Sequence, residues 1–328
     1  MARKTRIEIA IDRISPLTSL LDEVIYQSSI HDMRQAYFQD VKLSDSWIIL
    51  SDYYFGDDKA NKVITFTSLP YLGGLPQLQS IVRALAPRDI KHTRSIDGRF
   101  IEFLRQLPWL NISFIFEQDK YFAWTSSGEF QDYMAEFCET LSAYVAFWRR
   151  NTMNHSRLDA LSRNILYAQD LLRQKKKIRI LSEAFVISLL GGYVSSILCR
   201  ETALTRLCWL SDRDRTNELG GNFIRDLFQV TLIDIVKRNI SFSFTTANSN
   251  SEEWYEDLIR IPDFITGAIA SFDFDNIGKH TTKPAGLSLI GAYLANNKSD
   301  CFNYRFHIND DGLKIQRMMI TTTADAAR

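Results

Sequence analysis

Apolar and polar positions along the chain switch between two periods, and the switches mark out elements. "SWIILSD" (46–52) is an apolar run closing on an acid, "YYFGDDKANK" supplies turn residues, and "VITFTSL" (63–69) alternates with the period of a strand, so a hairpin is predicted. "LPQLQSIVRALA" (75–86) and "IDGRFIEFLRQLP" (96–108) carry the three-and-four spacing of helices, before "NISFIFEQDK" (111–120) returns to strand character. From about 121 to 203 the spacing is helical almost throughout, with Phe137, Leu141, Tyr144, Val145 and Trp148 on one stripe. "TRLCWLSD" (205–212) is again a strand closing on an acid, followed by a helix in "GGNFIRDLFQVTLIDIVKR" (220–238) and a strand in "NISFSFTT" (239–246). "IRIPDFITGAIASF" (259–272) predicts a helix whose buried face is Ile259, Ile261, Phe264, Ile265, Ala268 and Ile269, with Pro262 in its first turn. "CFNYRFHI" and "LKIQRMMI" around "NDDG" predict a closing hairpin. Upstream, "RIEIAID" alternates and "PLTSLLDEVIYQSSIHDMRQAYFQDV" is helical in spacing, which makes 1–45 an N-terminal arm or cap.

Strands and helices mixed in this order predict an α/β layer structure with a mixed sheet. Its core spans 46–272, interrupted by a helical insertion at about 121–203 and followed by a C-terminal extension, 273–328, that carries the hairpin. Composition adds little, since 328 residues at 45% hydrophobic and 24% charged are ordinary for a globular chain. Charge adds more: 39 lysines and arginines balance 39 aspartates and glutamates, so any site for a polyanion must be local. Cys138, Cys199, Cys208 and Cys301 form no CxxC pair, which argues against a zinc site or disulfide framework and fits a reducing cytoplasm. The nearest candidate for a membrane span, "ILSEAFVISLLGGYVSSILC" (180–199), contains Glu183 and a Gly191-Gly192 pair, and is expected to be a buried helix with a break in a soluble protein without a membrane partner. Phosphate-binding glycine loops, a GxSxG elbow and an HExxH pair do not occur, and the five histidines have no ligand spacing.

The acids are the remaining chemistry. Asp52 and Asp212 each end a strand, and Asp263 sits on an apolar helix face. Taken singly, each has an ordinary explanation as a turn former, a cap or a residue at a helix N-terminus. Taken together they suggest convergence, because ligands of open α/β sheets gather where strands end. Three carboxylates in one place repel and raise one another's pKa unless a cation neutralises them. Mg²⁺ or Mn²⁺ would do so, and the chemistry that such an arrangement serves is metal-assisted hydrolysis of phosphodiesters.

At these stretches the chain resembles a large, mostly uncharacterised prokaryotic family of ribonuclease H-like fold that carries a domain-of-unknown-function label. Its members show an acid in the first strand, often within Asp-Glu-Ser-Gly, then Glu-hydrophobic-Lys, an acid ending a later strand and an Ala-Asp-Leu/Phe-Ile-Ala/Gly helix. The corresponding stretches are "LSDYYFGDD" (50–58), "RDIKHTRSIDGRFIEFLRQL" (88–107), "ISFIFEQDK" (112–120), "CWLSDRDR" (208–215) and "IRIPDFITGAIASF", in the family's order over roughly 46–120 and 204–272. The resemblance implies a ribonuclease H-like mixed sheet flanked by helices, and a nuclease acting on DNA, RNA or their hybrid in phage defence or mobile elements. It implies Asp52, Asp212 and Asp263 as metal ligands, with Asp89 assisting where the family has glutamate. Lys91 and His92 beside Asp89, and Arg213 and Arg215 beside Asp212, are candidate phosphate contacts. The departures are that Asp89 precedes the third strand and that Tyr53-Tyr54-Phe55 replaces Glu-Ser. They keep a rival expectation open, a decayed module that binds or assembles without catalysis. A protein partner would meet the insertion or the terminal extensions, and an enzyme acting on a phosphorylated metabolite is the third expectation.

Overall fold

The structure, a computed structural model, describes residues 16–151, 155–212, 216, 219, 223–238, 240–246, 255–276, 283–295, 300–309 and 311–321. In chain order its elements are α1 (16–41, with π-turns at Asp22–Gln27 and Arg34–Phe38), β1 (Ser46–Tyr54), β2 (Asn61–Pro70), α2 (Leu75–Leu85), a 3₁₀ turn (Ile90–His92), α3 (Gly98–Gln106) and β3 (Leu110–Glu117). Then come α4 (Ser127–Asn151), α5 (His155–Gln174), α6 (Ile178–Glu201), β4 (Arg206–Ser211), α7 (Phe223–Val236), β5 (Ser241–Thr246), α8 (Glu256–Ser271), α9 (284–294), β6 (Cys301–Asn309) and β7 (Gly312–Met318). The chain forms two compact units: Val24–Ala123, Ile197–Arg213 and Asn239–Arg328 make one, and Met1–Glu23, Trp124–Ser196 and Asp214–Arg238 the other.

The first unit is built on a seven-stranded mixed sheet of order β5-β4-β1-β2-β3-β6-β7, in line with the expected α/β class. Strands β1, β2 and β3 form an antiparallel meander, β4 lies parallel to β1, and β5 parallel to β4. The C-terminal hairpin is no separate extension: β6 pairs in parallel with β3, and β7 closes antiparallel on β6. An exposed β3 edge would offer unpaired backbone groups, and the hairpin covers it. Helix α8 lies across β1 and β2, and its Ile261, Phe264, Ile265 and Ala268 join Ile48, Leu50, Val63 and Ile115 in one buried cluster. At its C-terminus the Asn61 amide donates to the carbonyls of Ile269 (3.1 Å) and Phe272 (2.8 Å), groups that a helix end leaves without partners. The helix starts at Glu256, so Pro262 is in its interior and not in its first turn. Proline there removes one intrahelical bond, and the burial of the apolar face outweighs that loss. Residues 1–15 of the expected arm lie outside the described residues. The part of α1 in this unit is built in, with the Tyr37 hydroxyl donating to the Pro108 carbonyl (2.8 Å) and Arg34 paired with Glu201 (2.6 Å).

The second unit is helical, made chiefly of α4, α5, α6 and α7. Phe185 is its aromatic centre, in contact with Trp124, Phe130, Tyr133 and Phe137. Residues 223–236, read as a core helix, belong here. The break expected at Gly191-Gly192 is absent, and α6 runs straight through it. A Cβ on Gly192 would stand 2.8 Å from Thr231 Cβ and 2.9 Å from the Phe228 carbonyl, so the glycine lets α6 and α7 approach closely. Among the described residues α6 is the one helix long and apolar enough to cross a membrane, and 94% of its apolar window is buried inside the fold.

Candidate functional site

Parallel pairing sets Ser51 of β1 opposite Ser211 of β4, so the next residues, Asp52 and Asp212, leave the two strands side by side. Alternation puts Ile48, Leu50 and Asp52 on one face of β1, and Cys208, Leu210 and Asp212 at the matching positions along β4. Helix α8 covers β1 and brings Asp263 and, one turn on, Thr266, whose hydroxyl donates to the Asp52 carbonyl (3.3 Å). The loop after α2 supplies the fourth acid: Asp89 precedes the 3₁₀ turn, and the Ile90 backbone N–H donates to Asp263 Oδ2 (2.9 Å). Gly267 makes this approach possible, because a Cβ there would fall 2.4 Å from Ile90 Cγ2. Arg260 holds the same loop by donating to the Ala86 carbonyl (2.9 Å). All four predicted acids therefore line a single cleft of about 540 Å³, within one unit of the fold.

The cleft grades from inside to outside. Burial, then the charges of Asp263 and Asp212, push the Asp52 carboxyl well above the ordinary 3.8, against the opposing pull of the Thr266 hydroxyl and the Lys59 ammonium. Burial pushes Asp263 up to about 6, helped by the charge of Asp89 and opposed by the Ile90 N–H, Lys91 and Lys59. Nearer solvent, Asp212 is exposed, and Asp89, with 45% of its side chain exposed, pairs with Lys91 at 3.3 Å. Lys59 enters from the β1–β2 turn, its ammonium 4.0 Å from the centre of the Tyr54 ring. Three hydroxyls line the cleft and each is engaged: Tyr53 with Ser211, Tyr54 with Asp58, and Thr266 with Asp52. The donors fit a hard divalent ion in kind. Among the described residues, however, no three His, Cys, Asp or Glu side chains stand close enough to form a preformed metal group.

Of the candidate phosphate contacts, Lys91 lines the cleft and His92 does not; it faces a separate groove. In a 3₁₀ turn successive residues point about a third of a turn apart, which turns His92 away from Lys91. Arg213 and Arg215 lie outside the described residues. Sequence reasoning missed Lys59, Thr266, Gly267 and Arg260. Thr266 and Gly267 stand three and four residues after Asp263, the helical spacing that reaches the same side, and were open to discovery. Lys59 sits in a turn run and had no such signal. In comparison with known proteins, no family model, no curated protein and no solved structure matches this chain.

Proposed function

We propose that the cleft hydrolyses phosphodiesters of nucleic acid with the help of a divalent metal ion, Mg²⁺ or Mn²⁺. The observation that carries this reading is the convergence of four aspartates from four separate segments, with the two inner ones held in a setting that disfavours their charge. A fixed cation is the natural remedy for such crowding. The sheet supports the finer reading of a ribonuclease H-like fold. Its order β3-β2-β1-β4-β5 is antiparallel over the first three strands and parallel over the rest, with acids at the ends of β1 and β4. Asp52, Asp212 and Asp263 would hold the ion, which supplies a Lewis acid and lowers the pKa of bound water. The chain's own residues position the acids: Ile90 N–H orients the Asp263 carboxylate, the Thr266 hydroxyl holds the Asp52 backbone carbonyl, and Lys91 steadies Asp89. In this reading water activated by the ion would attack the phosphorus, and no covalent intermediate is needed.

A labelled strand offered as DNA, RNA and hybrid with Mn²⁺ tests this directly. Wild type should cut at least one of them, and Asp52→Asn should not. One observation favours the rival reading, a binding module without catalysis: Lys59 already lends positive charge to Asp52 and Asp263. Calorimetric titration of Mn²⁺ separates the two, since equal and negligible heats in wild type and Asp52→Asn would favour the rival.

A further inference from the structure

Residues 86–97 form a wall with two sides. Asp89 and Lys91 look into the aspartate cleft, whereas Arg88, His92 and Arg94 line a second cavity, a groove of about 1010 Å³. All three of these side chains are exposed, and among the described residues none has an ion-pair partner. The acid in the groove lining, Asp97, is already taken: it pairs with Arg99 at 2.6 Å and accepts the Arg99 backbone N–H at 2.9 Å. The backbone beneath the arginines is braced by Arg260 on the Ala86 carbonyl (2.9 Å), by Ile90 N–H on Asp263 (2.9 Å) and by the Thr93 hydroxyl on the Asp89 carbonyl (2.9 Å). In a chain of zero net charge, two unpartnered guanidiniums on a braced wall are a local excess of positive charge. The groove is also too large for one small anion, and Leu85 and Ile96 give it an apolar lining.

We propose that this groove binds a single-stranded nucleic-acid segment. Arg88 and Arg94 engage successive phosphates through their planar donor forks, and the apolar lining takes sugars and unpaired bases. The inference rests on the proposed function in one respect: the strand that crosses the wall presents its next phosphodiester to the aspartates. A duplex would keep its bases paired and away from that lining.

The test is fluorescence anisotropy of a labelled single strand of mixed sequence, as DNA and as RNA, with divalent metals chelated. Wild type should bind with an affinity that falls steeply between roughly 50 and 200 mM salt. The Arg88→Ala, Arg94→Ala double variant should bind at least about tenfold more weakly, with a salt slope smaller by roughly two. The corresponding Arg→Lys pair, with charge kept, should recover most of that slope. Wild type without salt-dependent binding, or an alanine pair that binds like wild type, overturns the inference even if the protein cuts nucleic acid with Mn²⁺. Arginine-dependent binding without cutting leaves the inference standing and overturns the nuclease reading instead.

Discussion

Helix α8 carries two acids, six residues apart, one buried and one partly buried, that the fold treats in opposite ways. Asp257 is 2% exposed, and its carboxylate receives Arg83 (2.8 Å), Arg260 (2.5 Å) and Gln79 (3.1 Å). Asp263 receives a single backbone N–H, while burial and the charge of Asp89 press against its ionisation. At the first acid two guanidiniums neutralise the charge within the fold, and the result is architecture: Arg260 also holds the wall at Ala86. At the second, Lys59 and Lys91 lend positive charge from the cleft lining without an ion pair to the carboxylate, and the rest of the neutralisation is left to something that arrives from outside. Burial of an acid is thus a poor mark of function, and burial without a fixed counter-charge is the better one.

The largest effect that tests this contrast is on activity. Asp263→Asn keeps the shape of the side chain and removes its charge, so Mn²⁺-dependent cleavage should fall by roughly three powers of ten, about 4 kcal/mol of transition-state stabilisation. Metal-free Asp263→Asn should nonetheless melt above wild type at neutral pH. Asp257→Asn should do the reverse, losing about 3 kcal/mol in a denaturant titration because two guanidiniums are left without their carboxylate. If Asp257→Asn proves harmless and Asp263→Asn unfolds the protein, the two acids have been assigned the wrong way round.

Legibility in the sequence follows the same division. The strands β1 to β4 and the helices α2, α3 and α8 come from local periodicity, and so does the alternation that sets Asp52 and Asp212 on one face. Convergence of Asp263 with them follows once α8 is laid on the sheet, since one helical face must be buried. What local pattern does not carry is the far side of each contact. Nothing around Gly192 announces that Thr231 stands against it, so the glycine pair reads as a break. Nothing around Pro262 shows that the helix starts at Glu256, because tertiary burial of Leu258 and Ile259 overrides the proline signal. Lys59 and the brace at Ala86 depend on loops meeting across the fold, and the assignment of β6 to the β3 edge is a pairing between distant segments.

A smaller and more local effect tests the wall. Gly267→Val places a branched side chain where even a Cβ would stand 2.4 Å from Ile90 Cγ2. The turn must then withdraw, and Ile90 N–H leaves Asp263. Overpacking of this kind should lower stability by about 2 kcal/mol, and cleavage should fall although every carboxylate is intact. Asp257 and its arginines are untouched, so the remaining stability should still respond to Asp257→Asn as wild type does.

The smallest effect is a titration, and its sign distinguishes the two acids most cleanly. Asp263 ionises at about 6 in the folded protein against 3.8 for an ordinary aspartate, so between those values the folded state binds more protons than the unfolded one. The contribution of Asp263 to the stability of the metal-free protein must then fall as pH rises through that window, and the loss is complete above the folded pKa. Partial exposure to solvent reduces the effect to about 1 to 2 kcal/mol. Asp52, raised in the same sense, adds to the fall. Denaturant midpoints measured from pH 4 to pH 8 in chelator should decline more steeply for wild type than for Asp263→Asn, which keeps the share of Asp52 alone. Saturating Mn²⁺ should flatten them, because an ion that binds the charged carboxylates favours the deprotonated fold. A wild-type curve that rises with pH relative to that of Asp263→Asn would mean that Asp263 is neutralised within the fold in the manner of Asp257, and the cleft would then have no vacancy of charge for an ion to fill.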